Sequence, residues 1–255
     1  MNRGLSQWKR KPAPERKCLD ERRMRRTVAA LFLFGISFGY LEAAVVTYLR
    51  DLYDPIRRQI DPARPAGELF PLITTDQLRD SGAGNTRRLL TELGREASTL
   101  VMLAAIGLAV SRRPHQWVAA SLVAFGAWDI SFYGFLRILI DWPPSLFTWD
   151  ILFLLPVPWV GPVIAPILVS LSMIGCGLIA LHQPISLRAR HWLAILAGGL
   201  VIVVAFCWDF RNTSAGGLPN PFNWPLFAAG EVLGLSGFGA AALARAPSAW
   251  KLEDR

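Results

Sequence analysis

A chain of 255 residues that is 53% hydrophobic, with 27 Lys and Arg against 19 Asp and Glu, joins apolar runs long enough to span a bilayer to a formal charge of +8. That combination excludes an ordinary soluble domain. It also argues against nucleic acid as a partner, because the positive excess lies beside the first apolar run, where it orients a membrane protein and meets anionic lipid. The three cysteines, Cys18, Cys176 and Cys207, are far apart and form neither a CxxC pair nor a disulfide framework.

Residues 1–26 form a basic tail, and the first span follows over 27–49. This span resembles a signal peptide in its flanking charge, but it is longer than an h-region, contains Glu42 and has no small-residue cleavage site, so it is read as an uncleaved helix. Residues 50–94 hold Pro55, Pro62, Pro65 and Pro71 and nearly balanced charges, which predicts an outer loop with one short helix over 75–79. A second span, capped by Asn85 or Thr86, runs through Arg87, Glu92 and Glu96 and ends at Ser111–Pro114.

The third span covers 117–140 and carries Asp129 and Arg137. From Ile151 to Leu181 the chain is too long for one helix and holds Pro156, Pro158, Pro162 and Pro166, which predicts a short or re-entrant piece over 152–157 before a fourth helix over 160–181. The fifth and sixth spans are 192–208 and 226–244, separated by a Gly, Pro and Asn rich loop. The fold class is therefore all-α: a multi-pass integral membrane bundle of about six transmembrane helices with a broken, proline-rich start to the fourth.

Basic residues concentrate in the N-terminal tail, around 111–114, in 182–191 and near the C-terminus. By the positive-inside rule a single transmembrane domain over 27–246 has both tails, 1–26 and 247–255, in the cytoplasm, as in a bacterial inner membrane. Trp117 and Trp192 fall at the inner interface, and Trp142, Trp149, Trp208 and Trp224 at the outer. Trp128 and Trp159 have no place in that belt.

Charge inside the spans carries the functional signal. At a rise of about 1.5 Å per residue, Glu42 lies roughly 10 Å below the outer end, Asp129 roughly 16 Å and Glu231 roughly 8 Å, with Glu96, Arg137 and Asp150 shallower. Charge at such depth is costly, about 2.5–3.5 kcal/mol on insertion scales, and ordinarily faces a bundle interior or a wet cavity. Gly126, Asp129, Tyr133 and Arg137 share a helical face, as do Gly35, Gly39 and Glu42, while Gly230 and Gly234 flank Glu231. These positions predict an outward-facing pocket of Glu42, Glu96, Asp129 and Glu231, with Arg137 and Asp150 at its mouth. The competing structural reading pairs Glu42 or Asp129 with Arg50 or Arg137 merely to hold helices in register.

Two stretches, FGYLEAAVVTYLR over 38–50 and FGAWDISFYGFLR over 125–137, align without a gap and suggest that spans one and two repeat spans three and four. Other motifs carry less. Gly35-Ile36-Ser37-Phe38-Gly39 fits GxSxG, but it is mid-helix, and His115, His182 and His191 all fall near the cytoplasmic side. Gly237-Phe238-Gly239 with Ala242 is a packing face rather than a dinucleotide loop.

The leading functional expectation is a small transporter or ion-coupled carrier, its carboxylates taking a proton or cation. The first alternative is an enzyme acting on a lipid or lipid-linked substrate at the outer leaflet, with Glu96 or Asp150 as base or metal ligand and Arg50, Arg87 or Arg137 on phosphate. The second is a scaffold subunit of a membrane complex or a homo-oligomer. Expected partners are the bilayer, a cation or proton, and anionic lipid at the basic tail. Cofactor and metal are unknown from sequence.

Overall fold

The structure is a computed structural model that describes residues 13–63, 68–111, 114–183 and 185–244. The basic residues within 1–12, Arg112, Arg113 and the tail over 247–255 lie outside the described residues. In chain order the elements are α1 (Ala13–Ile60), α2 (Thr75–Asp80), α3 (Ala83–Val110), α4 (Pro114–Ile140), β1 (Trp149–Phe153), β2 (Trp159–Pro162), α5 (Ile164–His182), α6 (Ala189–Phe206), α7 (Phe210–Ser214) and α8 (Trp224–Leu243). Six of these helices, α1, α3, α4, α5, α6 and α8, are long and apolar enough to cross a membrane. The protein is a multi-pass helical membrane bundle.

Much of the stretch 50–94 is helical rather than loop. α1 continues to Ile60 through Pro55, and α3 begins at Ala83. Pro55 removes one intrahelical bond, but Asp51, whose carbonyl is freed, is exposed and open to water. Ile56 is buried there, and this anchors the extension. The short helix α2 forms where a capping box specifies it: Gln77 N–H donates to Thr74 Oγ1 at 3.3 Å, and Thr74 N–H donates to Gln77 Oε1 at 2.9 Å. Neither Asn85 nor Thr86 caps α3. Gly82, at φ 131°, precedes it, and the Asn85 amide reaches back to Ser81 Oγ at 2.9 Å.

The break expected before the fourth span is a two-stranded antiparallel hairpin. Asp150 stands opposite Gly161 and Ile151 opposite Val160. Pro156 and Pro158 deny the segment helical hydrogen bonds, while the aromatic and β-branched residues on either side suit a pleated pair. Val163 and Ile164 then donate to Thr148 O and Leu146 O, which ties the start of α5 to the preceding turn.

Close helix contacts follow the glycines, as expected in lipid, where association depends on van der Waals fit rather than on hydrophobic burial. α1 runs parallel to α4: a Cβ on Gly35 would lie 2.9 Å from Ala124 O, and one on Gly39 2.9 Å from Trp128 O. Gly126 and Gly177 bring α5 against α4, and Gly198, Gly230 and Gly237 bring α6 against α8. α4 packs along α5 whereas α1 meets α3 at few positions, so the two halves suggested by the sequence repeat are not structural copies. The α6–α8 pair joins the rest mainly at the hairpin end, where Ala165, Ala205, Phe206 and Phe227 form a buried cluster with Trp159 and Phe222.

Candidate functional site

Between α1, α3, α4, α5, α6 and the hairpin lies a cavity of about 350 Å³. Four acids predicted as site residues, Glu42, Glu96, Asp129 and Asp150, all line it, and all four are buried. They arrive from four different elements, α1, α3, α4 and β1. Each is held by its own partner. Glu42 accepts from Thr99 Oγ1 at 2.8 Å and from Arg95. Glu96 Oε2 accepts from the Leu154 N–H at 2.9 Å, Asp129 Oδ2 from Ser170 Oγ at 2.8 Å, and Asp150 Oδ2 from Tyr133 Oη at 2.9 Å. Among the described residues, no three His, Cys, Asp or Glu side chains gather as a metal site.

Two predicted residues are elsewhere. Arg137 is exposed at the end of α4, where it reaches Asp141 at 3.7 Å instead of any cavity acid. Eight residues beyond Asp129, it is turned about 80° away around the helix. Glu231 faces a second cavity of about 280 Å³, between α4, α5 and the α6–α8 pair. Arg87 is exposed and lies outside the lining.

The wall also holds residues that the depth argument did not include. Arg95 joins Glu42 to Glu92 and sits on the same α3 face as Glu92, Glu96 and Thr99, at spacings of three, four and seven that a helical projection exposes. Trp128 and Trp159, unexplained by an interfacial belt, both line the cavity. Trp142, assigned by sequence to the outer belt, is buried, and the Arg50 guanidinium lies 4.0 Å from its ring centroid.

Polarity is graded along the site. Arg50 and Arg57 lie about 12 and 22 Å along α1 from Glu42, toward the hairpin end. There they also line a polar cavity of about 810 Å³ with Asp51, Asp54, Glu68 and Asp141. In the other direction the lining becomes Phe125, Trp128, Met173 and Gly199. Three buried donors in this wall, Arg50 Nε, Trp128 Nε1 and Trp159 Nε1, meet no hydrogen-bond acceptor among the described residues. Such a group ordinarily costs about 1–3 kcal/mol.

Asp150, outside the spans on β1, has a carboxyl raised to about 6. Burial is the main cause, opposed by the Arg50 charge and the Tyr133 hydrogen bond. A carboxyl with that value exchanges its proton near neutral pH, which suits a general acid or base.

A scan against protein-family profiles and searches of curated proteins and of solved structures found no match.

Proposed function

We propose that this membrane protein is an enzyme that binds an amphiphile with an anionic head, a lipid or a lipid-linked molecule, and acts on it by acid–base chemistry. The observation that carries the reading is the cavity's division into a cationic end, at Arg50 and Arg57, and an aromatic end, with Asp129, Tyr133 and Asp150 between them. An anionic head is recognised by guanidinium, an apolar tail by the aromatic wall, and the bond between them lies beside the carboxyls.

In this reading Asp150 is the proton-exchanging group and Tyr133 orients it. Asp129, held by Ser170, supplies a second carboxyl, and Arg50 holds the head. The hairpin end faces outward, both tails are cytoplasmic, and the membrane is a bacterial inner membrane; the basic N-terminal tail supports this orientation.

The carrier remains a second reading, on one observation: the Arg95–Glu42 pair is the main polar link between α1 and α3, two helices with little other contact. Opening that link would widen the cavity between them.

The test is to incubate the purified protein in nanodiscs with a lipid extract from its own host and follow all lipid species by mass spectrometry. The enzyme reading predicts one anionic amphiphile consumed by wild type and spared by Asp150→Asn. Translocation in vesicles without chemical change would replace it with the carrier.

A further inference from the structure

We infer that the second cavity, between α4, α5 and the α6–α8 pair, seats the hydrocarbon tail of the amphiphile bound in the first. This inference rests on the proposed reading of the first cavity as the head site. The two cavities, of about 350 and 280 Å³, share Val169, Met173, Gly199 and Ile202 as lining residues, so they are divided by a single thin partition. Most of the second lining is aliphatic or aromatic, including Leu122, Ile195, Leu235 and Phe238.

Gly199 marks the passage. A glycine inside a helix is less favourable than alanine and so calls for a reason. Its neighbour Gly198 has one, because a Cβ there would lie 2.6 Å from Gly230 O. At Gly199 a Cβ would meet nothing within 4 Å, so packing does not explain it. It lines both cavities.

A gap runs there because the α6–α8 pair is fastened at the hairpin end, through Phe206, Phe222 and Phe227, and touches α5 only lightly farther along. A tail that leaves the aromatic end of the first cavity therefore has an apolar path between the two packed groups. Glu231, on the wall of this path, accepts from Ser172 Oγ at 3.0 Å through one oxygen, while the other meets no partner among the described residues. The seat thus has one polar point, and a cationic occupant is the rival its test must separate.

The experiment is photo-crosslinking of the detergent-purified full chain with two hexadecyl phosphate probes, one carrying its diazirine near the phosphate and one near the methyl end. The near-head probe is expected to label peptides around Arg50 and Asp150. The tail probe is expected to label α5 and α8 peptides holding Ser172, Cys176 and Gly230, in competition with unmodified hexadecyl phosphate.

In Gly199→Leu, a substitution with room for its first carbon, tail labelling of α5 and α8 should be lost while near-head labelling persists. Glu231→Gln should leave both unchanged. Tail labelling that is confined to lipid-facing positions and is not competed would overturn the tail seat while leaving the head site standing. Failure of the near-head probe to label Arg50 or Asp150 peptides would instead remove the head site. Loss of tail labelling in Glu231→Gln would assign the second cavity to a charged ligand and overturn the inference.

Discussion

Arg95 on α3 donates to Glu42 on α1 across a boundary where these two helices otherwise meet at few positions. Glu42 is 6% exposed and Arg95 25%, and Glu92 holds the other side of the same guanidinium. Removing one partner of a buried pair leaves its charge uncompensated, which typically costs 3–5 kcal/mol. Because Arg95 keeps Glu92, the expected loss for Glu42→Ala is at the low end, about 3 kcal/mol. A double-mutant cycle of Glu42→Ala with Arg95→Ala, read by reversible unfolding in mixed micelles, should give a favourable coupling. Additive losses would show that the pair contributes nothing.

The α1–α4 seam depends on absent side chains. A Cβ on Gly39 would lie 2.9 Å from both Trp128 O and Phe132 N, backbone atoms of α4 that cannot turn aside. Gly39→Val should lower stability by about 1–3 kcal/mol, the usual cost of overpacking. Gly134→Ala, in α4 and with nothing within 4 Å of the added carbon, should be neutral or stabilising. Melting temperatures of the two variants in one detergent check the contrast.

Stability should fall as pH rises through the acid range. The Asp150 carboxyl goes from an ordinary value near 3.8 to about 6 in the folded protein, so the native state holds the proton more tightly than the unfolded chain. Its contribution is fully present below about 4 and lost as pH rises to about 6, up to about 3 kcal/mol for a gap of about two units. Asp150→Asn should flatten the unfolding profile between pH 4 and 6. An unchanged profile in that variant would assign the dependence to other groups.

The loop between α6 and α8 is organised by Asp209, which accepts from the Asn220 N–H and Nδ2, each at 2.8 Å, and from Asn212 Nδ2 at 2.9 Å. Burial pushes its carboxyl up, but these bonds outweigh it and hold the group below its ordinary value. The support it gives is present above the unfolded value and lost as pH falls through the folded one. Asp209→Ala should speed hydrogen exchange across 210–223 at neutral pH while leaving α1 and α4 protected. Uniform protection in the variant would show that Phe222 and Trp224 hold the loop without it.

The six spans were legible because a bilayer demands long apolar runs whatever the function. Four of the six predicted site residues converge because depth along a span can be counted from sequence. Azimuth is harder: three- and four-residue steps drift around a helix, and so Arg137, grouped with Asp129 and Tyr133, points out to Asp141. Glu231 shares their depth but belongs to the separately packed α6–α8 pair. The hairpin was hidden because strands of five and four residues leave too little periodicity to separate from a broken helix. Arg95 was visible in the α3 pattern, yet its partner Glu42 is 53 residues away, and sequence gives no measure of that contact.

In the proposed function one cavity holds an amphiphile by an anionic head at Arg50 and Arg57. Its most direct test is to extract and identify by mass spectrometry the amphiphiles retained by the protein after purification in detergent, beside those of the surrounding membrane. Strong enrichment of one anionic, long-chain species is expected in wild type, and its loss in Arg50→Ala. Retained lipid that matches the bulk membrane in both proteins would contradict it.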